Sequence, residues 1–337
     1  MTEGIVDADI PIIDAHHHLW DRRPLPRHVR LPASDRYLLD ELRADAVAGG
    51  HNVVATVYME CGAFYKADGP VEWRSIGETE AVNGIAAMSA SGLYGAFRAC
   101  AGIVGRVDLT LGERVRPLLE AHVVAGGGRF RGVRNLGGRD EDEAVLPASH
   151  RAQAGFYARP DLRAGVAALG ALGLSFDAWV LEPQLPEVID LARAVPDTSI
   201  ILDFFGTPLG CGRYEGRREE RFPIWRANIA RLAECDNVVM KLGGLGMTLP
   251  NFPSLLADPP ASAAQLAEEW RPYIETTIEL FGPDRCLFAS NYPRDRSTAD
   301  YVTIWNAFKL TVAGASADEK RALFAQSATR VYRLDLP

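Results

Sequence analysis

The hydrophobic residues of this chain fall into eight short runs, separated by longer stretches with helical periodicity. The runs are rich in Val, Ile, Leu and Phe, which is typical of strands buried on both faces. We predict strands at Ile12–Trp20, Val53–Cys61, Ala99–Asp108, Phe130–Leu136, Leu174–Pro183, Ser199–Gly206, Val238–Gly246 and Cys286–Pro293. Helices are predicted at Glu78–Ser91, Leu111–Ala125, Asp161–Leu172, Glu187–Ala194, Glu219–Glu234, Ala264–Phe281, Ala299–Val312 and Ala317–Tyr332.

This alternation is typical of a (β/α)8 barrel, in which each strand is followed by a helix. A doubly wound open sheet is the alternative, but no G-x-G-x-x-G follows a predicted strand, which disfavours a dinucleotide-binding domain. The chain of 337 residues contains no repeat and no linker. We therefore predict a single α/β TIM-barrel domain over residues 1–337, with extended βα loops and a C-terminal helix.

Four of the connections are long, and each of them follows a predicted strand. They are Asp21–Leu39, Gly62–Gly77, Gly137–Tyr157 and Thr207–Arg218. Loops that follow barrel strands lie on the face where barrel enzymes carry their active sites. We expect a pocket on this face that is partly covered by these loops.

Composition narrows the range of partners. The net charge of −8 argues against a nucleic acid or an anionic membrane as a partner, so a small-molecule substrate is expected. The N-terminal segment lacks an apolar run, no segment approaches the length of a membrane span, and the five cysteines are widely spaced. We therefore expect a cytoplasmic protein with reduced thiols. The sequence carries no clear oligomerisation signal, and a homodimer stays open.

Three consecutive histidines end the first predicted strand. On a strand His16 and His18 project from one face and His17 from the other. Two neutral imidazoles placed in this way can chelate one divalent ion. The alternative is a polar strand end that binds no metal. The sequence therefore leaves open whether the pair binds one Zn or Mn ion or is metal-free.

Six segments carry a resemblance to a known family. At the ends of the predicted strands the chain reads IIDAHHHLWD, GRFRGVRN, LSFDAW with EPQLPEVIDLA, ILDFFGTP, VVMKLGGLG and RCLFASNYP. In this order the segments resemble the amidohydrolase superfamily, in its amidohydrolase-related branch of TIM-barrel hydrolases, lactonases and decarboxylases. The resemblance covers nearly the whole chain, and it implies that His16 and His18 match the first two metal ligands of that branch.

The chain also departs from the pattern of that branch. Relatives commonly carry a histidine where this chain has Glu182, and another where it has Phe204. Many place an aspartate at the position of Asn291, and a histidine often stands at the position of Asn135. The resemblance therefore implies a reduced site, in which Glu182 is a third metal ligand beside the two histidines or acts without a metal.

Three carboxylates at strand ends are the candidate catalytic groups: Glu60, Glu182 and Asp203. Glu182 is a candidate general acid or base if burial raises its pKa, and an ion-paired surface residue is the alternative. Glu60 is either catalytic or a structural partner of an arginine such as Arg134. Asp203 is more suited to orient a neighbour than to act as a base.

The predicted substrate contacts surround these acids. Arg134 and Arg294 follow strands, and their guanidinium groups suit a substrate carboxylate or phenolate. The other predicted contacts are Asn135, Phe204, Asn291 and Tyr292. Lys241 is expected to be structural, although a desolvated lysine also suits Schiff-base chemistry. His28 and His150 lie in long loops that could reach the pocket.

Three functions are consistent with these residues. The first is a hydrolase that acts on a lactone or a related carbonyl compound, with a reduced or absent mononuclear metal site. The second is a decarboxylase, C–C lyase or isomerase on the same scaffold, with Phe204 and Phe205 forming an aromatic wall for a flat substrate. The third is an inactive binding relative. Incorporation of solvent oxygen into the product separates the first from the second.

Overall fold

A computed structural model describes residues 4–21 and 36–336, and it contains one parallel sheet of eight strands. The strands are β1 (Ile12–His17), β2 (Val53–Met59), β3 (Arg98–Gly105), β4 (Phe130–Leu136), β5 (Ser175–Trp179), β6 (Ile200–Leu202), β7 (Val238–Gly243) and β8 (Cys286–Ala289). Each strand pairs with the next one in the chain.

The two edges of the sheet meet through backbone hydrogen bonds that follow β8. The Asn291 amide donates to the His16 carbonyl at 2.9 Å, and the His18 amide donates to the Tyr292 carbonyl at 2.8 Å. The sheet is therefore a nearly closed barrel, and the predicted TIM-barrel fold is confirmed.

Helices separate the strands as the sequence predicts. They are α1 (Leu39–Ala46), α2 (Ile76–Ala90), α3 (Arg116–Ala125), α4 (Pro160–Ala171), α5 (Leu185–Ala194), α6 (Arg218–Ala233), α7 (Ala263–Phe281), α8 (Tyr301–Thr311), α9 (Ala317–Arg321) and α10 (Ser327–Val331). A π-helical turn joins α9 to α10. The sequence analysis did not predict α1. Within the described ranges, no helix combines the length and apolar character that a membrane span requires.

The predicted first strand is shorter than expected. It ends at His17, and Trp20–Asp21 instead pairs with Arg36–Tyr37 as a separate antiparallel ribbon. This ribbon lies at the boundary of the first long connection, whose residues 22–35 are outside the described ranges.

Two hydrophobic cores hold the barrel. The larger one lies between the sheet and the helices, and the smaller one fills the barrel with residues such as Val57, Met59 and Ile201. Side chains of the C-terminal helices complete the smaller core, including Ala328 and Tyr332, both about 1% exposed. The end of the chain therefore contributes directly to the interior of the barrel.

The strand β6 ends at Leu202, four residues before the end that the sequence predicts. Phe204 and Phe205 have φ values of 55° and 61°, which is the left-handed region that bulky residues rarely occupy. This turn points the Phe204 ring into the barrel core and the Phe205 ring into the outer core. Phe205 therefore does not join Phe204 in the aromatic wall that the sequence suggested.

Asp14 is a buried carboxylate that ties β1 to the segment following β8. It accepts hydrogen bonds from the Ser290 amide at 2.9 Å, the Ser290 hydroxyl at 2.5 Å and the Tyr301 hydroxyl at 3.1 Å. Burial raises the pKa of Asp14 from 3.8 to about 6, against these hydrogen bonds. The folded protein therefore binds this proton more tightly than the unfolded chain does.

Asp14→Asn is expected to remove a pH dependence of stability. Because the folded pKa is raised, the contribution of Asp14 is fully present below the unfolded pKa of 3.8 and is lost as the pH rises through about 6. Asparagine keeps a carbonyl for the backbone amides, and its NH2 group can donate to both hydroxyls. The free energy of unfolding of the variant relative to wild type should rise by about 2 kcal/mol between pH 4 and pH 7.

Urea unfolding at both pH values measures this change, and Asp9→Asn is the control because Asp9 is exposed. A difference between Asp14→Asn and wild type that stays constant with pH would contradict the raised pKa.

Candidate functional site

The histidine pair lies inside the barrel mouth. His16 and His18 project from the inner face of β1, and their Nε2 atoms are 3.3 Å apart with the rings at 86° to one another. His17 points the other way, where its Nε2 lies 2.8 Å from the Thr56 hydroxyl. The expected alternation along the strand is confirmed, and two imidazoles of the three face each other in the barrel interior.

Lys241 lies beneath His16 and is fully buried. Its ammonium group donates to Asp177 at 2.6 Å and to Asp203 at 3.0 Å, and it lies 3.4 Å from Nδ1 of His16. The Tyr332 hydroxyl donates to the same Asp177 oxygen at 2.7 Å. The interior of this barrel thus carries an ionic network directly under the histidine pair.

Arg134, at the end of β4, brings a second cation to the pair. Its Nη1 lies 3.4 Å from Nε2 of His16 and 3.6 Å from the Asp203 carboxylate. Its Nε donates to Glu60 at 2.9 Å, and its Nη2 donates to the Glu60 carbonyl. Arg106 approaches the same Glu60 oxygen at 3.9 Å. Glu60 is therefore the structural partner of Arg134, which is one of the two roles that the sequence predicted for it.

Burial and this ionic network set the protonation of the site. Burial, reinforced by the charge of Lys241, lowers the pKa of His16 to about 3. Burial, followed by the neighbouring His16 and Arg134, lowers the pKa of His18 well below 6.5. Burial would raise the pKa of Asp203, but Lys241, His16 and Arg134 outweigh it and lower that pKa. At neutral pH the site holds neutral imidazoles beside an ionised Asp203.

Aromatic side chains form the walls around the pair. The Phe204 ring is 4.5 Å from the His16 ring, and the Trp20 ring stacks at 6.2 Å from the His18 ring. The guanidinium group of Arg294 lies 5.4 Å from the centre of the Trp20 ring and is exposed to solvent. Arg294, Trp20 and His18 therefore follow one another from the surface towards the pair.

Glu182 does not join the histidine pair. Both of its carboxylate oxygens accept hydrogen bonds from Arg221 of α6, at 2.6 to 3.0 Å. Burial raises the pKa of Glu182, against the effect of Arg221. Among the described residues, Glu182 therefore does not form a metal-ligand group with His16 and His18, and that ligand set stays a prediction. The ion-paired alternative describes Glu182 instead.

Three of the side chains predicted to contact substrate form hydrogen bonds within the protein instead. The Asn135 amide group donates to the carbonyls of Val107 and Arg134 at 2.8 and 2.7 Å. Asn291 donates to the buried Asp295 at 2.6 Å. The hydroxyl of Tyr292 donates to the Ala299 carbonyl at 3.3 Å. The polar groups of these side chains are already engaged, which argues against a direct substrate contact for each of them.

One of the two loop histidines, His150, lies among the described residues and is not part of the site. His150 lies exposed beside Ser149, and the predicted contribution of His28 falls outside the described residues.

Sequence reasoning missed the ionic network under the pair. Lys241 was expected to be structural, and Asp177 was not singled out. Their signal was present, because each is a charged residue inside an apolar strand, in VVMKLG and in SFDAW. A charged side chain on a strand that is buried on both faces requires a partner. A lysine on one such strand and an aspartate on another are therefore candidates to pair with each other.

The histidine pair has the spacing of two metal ligands but lacks a third in the part of the chain that the structure describes. Two nitrogen ligands of a tetrahedral Zn ion stand about 3.3 Å apart, which matches the Nε2 separation of 3.3 Å between His16 and His18. Among residues 4–21 and 36–336, however, no group of three His, Cys, Asp or Glu side chains is arranged to hold a metal. Arg134 also places a positive charge 3.4 Å from Nε2 of His16. The described residues therefore do not fit a tightly bound divalent ion.

Comparison with known proteins places this site within a family. The amidohydrolase family model matches residues 13–334. An uncharacterized protein of Sinorhizobium fredii, y4mH, is 33% identical over 97% of this chain and 100% of its own length. An L-fucono-1,5-lactonase of Burkholderia multivorans is 30% identical over 70% of this chain and 73% of its own length.

The fold is shared with solved structures. A crystal structure of an amidohydrolase from Burkholderia multivorans with bound zinc superimposes with a TM-score of 0.72 at 24% identity, over 96% of this chain and 99% of that chain. The family match spans nearly the full length of the chain and includes every strand of the barrel. The chain therefore belongs to the amidohydrolase family.

Proposed function

We propose that this protein hydrolyses a small lactone. One observation carries the proposal, namely that Nε2 of His18 and Nη1 of Arg134 lie 3.3 and 3.4 Å from the same atom, Nε2 of His16, along buried contacts. An ester carbonyl placed there has a cationic donor on its oxygen and an imidazole beside it. The similarity to an L-fucono-1,5-lactonase supports a cyclic ester as the substrate class.

The proposed reaction divides the work between a donor and a base. Arg134 donates to the carbonyl oxygen, on which negative charge develops as water attacks the carbonyl carbon. His18 accepts the proton of that water at Nε2, because its Nδ1 is occupied by the Met59 carbonyl at 2.9 Å. The ring C–O bond then breaks, and the alkoxide takes the proton from His18. The product is the open hydroxy acid.

Glu60 orients the guanidinium group of Arg134 in this proposal. It is about 2% exposed and fixes the guanidinium plane of Arg134 through the Nε contact. A donor that is already oriented costs little reorganisation when charge develops in the transition state. In this proposal Glu60 positions Arg134, and Asp203 holds the cations at the base of the site.

Decarboxylation is the second candidate function. Phe204 stands where many relatives carry a histidine, and its ring packs on His16 at 4.5 Å. An apolar surface at this position suits a flat substrate and offers no group for activating water. The same site would then use Arg134 to bind a carboxylate.

The test is turnover of L-fucono-1,5-lactone and other five- and six-membered aldonolactones in water labelled with ¹⁸O. Hydrolysis is expected to place one labelled oxygen in the acid product, as measured by mass spectrometry. His18→Gln should reduce the rate by about 100-fold or more, because it removes the base. His17→Gln is the matched control, since His17 lies on the same strand but faces Thr56 outside the pocket.

Absence of turnover across the lactone panel would remove the lactonase proposal. Loss of CO2 from an aromatic acid, without labelled oxygen in the product, would establish the second candidate instead. Equal effects of His17→Gln and His18→Gln on a protein with unchanged circular dichroism would show that the pair has no special part in catalysis.

A further inference from the structure

His16 is surrounded by more hydrogen-bonding groups than one neutral imidazole can satisfy. Its Nδ1 faces the Lys241 ammonium at 3.4 Å and the Asp203 carboxylate at 3.6 Å. Its Nε2 faces Nε2 of His18 at 3.3 Å and Nη1 of Arg134 at 3.4 Å. The position of the single ring proton decides which of these four contacts are hydrogen bonds.

The contact with Lys241 favours one tautomer. An ammonium group has donors and no acceptor, so the Nδ1 atom that faces it can bond only as an acceptor. The proton of His16 is then on Nε2, from which it can be donated to Nε2 of His18 at 3.3 Å. His18 is able to accept it, because its own proton is on Nδ1 and is donated to the Met59 carbonyl at 2.9 Å. Lys241, His16, His18 and Met59 form a chain in which every donor meets an acceptor.

The other tautomer of His16 produces two conflicts in the same geometry. The Nε2 atoms of His16 and His18 would face each other at 3.3 Å with two lone pairs, and an N–H group would point towards the ammonium at 3.4 Å. In return it would gain the Asp203 contact at 3.6 Å and a bond from Arg134. The Nε2–H tautomer forgoes both of these, but Arg134 keeps its bond to Glu60 at 2.9 Å and its ion pair with Asp203 at 3.6 Å, and Asp203 keeps its bond from Lys241 at 3.0 Å. All of these groups are buried, so solvent does not relieve the mismatch.

Lys241 is itself held in place from two sides. Asp177 and Asp203 both lie within 3.0 Å of its ammonium group. Tyr332 of the C-terminal segment fixes Asp177 in turn, with its hydroxyl 2.7 Å from the carboxylate. The Lys241 side chain therefore has little freedom to turn away from His16.

We propose that Lys241 is a positioning residue that holds His16 as the Nε2–H tautomer. The histidine pair then offers one proton and one lone pair, instead of the two lone pairs that a divalent ion needs. In this protein the lysine thus keeps the histidines of a metal-binding motif in a state that hydrogen-bonds and does not chelate. The inference concerns the resting protein and does not depend on lactone hydrolysis.

The first measurement is the tautomeric state of each histidine in the unmodified protein. Long-range ¹H–¹⁵N correlation spectra of protein labelled in the histidine rings distinguish protonated from unprotonated ring nitrogens, and His16→Gln and His18→Gln identify the two residues. We expect a proton on Nε2 of His16 and on Nδ1 of His18. A proton on Nδ1 of His16 overturns the proposal, whatever the variants below do.

The second measurement removes the ammonium group without changing the net charge of the network. In Lys241→Met/Asp177→Asn, the Asp203 carboxylate is the group left facing Nδ1 of His16. The His16 proton should move to Nδ1, and the affinity for Zn²⁺ alone, measured by calorimetric titration, should increase by about 10- to 100-fold over wild type. A variant that keeps the Nε2 proton, or binds zinc no more tightly, shows that Lys241 does not set the state of the pair.

Lys309→Met is the matched control for this experiment. Lys309 is also a buried lysine next to a histidine, with Nζ at 2.9 Å from Nδ1 of His51, but it binds the Asp7 carbonyl instead of the histidine pair. Its replacement should leave the His16 signals and the zinc affinity as in wild type. A change equal to that of the Lys241 variant would mean that any lost lysine has this effect, and the proposal would fail.

Discussion

Replacing Lys241 by methionine is expected to lower the free energy of unfolding by about 3–5 kcal/mol. The substitution keeps most of the volume of the side chain but removes the charge that lies within 3.0 Å of both Asp177 and Asp203. Two carboxylates would then remain in the barrel interior with no exposed surface. Chemical unfolding followed by tryptophan fluorescence measures the loss.

Two variants identify the cause of this loss. Lys309→Met also removes a buried lysine, but the Lys309 ammonium forms no salt bridge with a carboxylate of residues 4–21 or 36–336. Burial lowers the pKa of Lys309 to about 8, so its replacement should cost much less. Lys241→Met combined with Asp177→Asn and Asp203→Asn removes the unpaired charges and should recover most of the stability. Equal losses in the two lysine variants would instead point to packing as the cause.

Arg134→Met is expected to reduce the kcat of lactone hydrolysis by about 10²- to 10³-fold. Arg134 is the only donor found within 3.4 Å of Nε2 of His16 among the described residues that is not itself part of the histidine pair. Methionine fills the space but cannot stabilise negative charge on the carbonyl oxygen. Initial rates with saturating lactone measure the change.

Arg106→Met is the matched control for Arg134→Met. Arg106 also carries a guanidinium group near Glu60, but the contact is 3.9 Å long and the side chain is 43% exposed. Its removal should change kcat by less than about threefold, since an exposed ion pair contributes little. Similar rate losses in both variants would show that general positive charge at the barrel mouth, and not the position of Arg134, supports the reaction.

The barrel could be predicted from the sequence because its strands are buried on both faces. Runs such as Val53–Met59 and Val238–Gly243 are apolar along nearly their whole length, and the helices between them carry regular periodicity. The end of β6 was predicted too late, because the left-handed turn at Phe204 and Phe205 uses residues that normally favour strands.

The candidate site could be predicted only where local spacing decides the outcome. His16 and His18 share a face because strand side chains alternate, whatever the rest of the chain does. The pairing of Glu182 with Arg221 could not be predicted, because Arg221 is 39 residues away on a helix and no local pattern indicates the contact. The same reason applies to Lys241 and Asp177, whose contact spans 64 residues.

The contacts of Asp14 and Tyr332 determine how late in synthesis the barrel interior can be completed. A ribosome produces β1 first, yet Asp14 acquires its partners only when Ser290 and Tyr301 have emerged. The Asp177 carboxylate acquires its hydrogen bond from Tyr332 later still, after Tyr332 has been synthesised. The charged groups of the barrel interior therefore lack their final partners until these later segments have emerged, and the barrel cannot be completed before Tyr332 has left the ribosome. A nascent chain stalled before Tyr332 would expose the network that later supports His16.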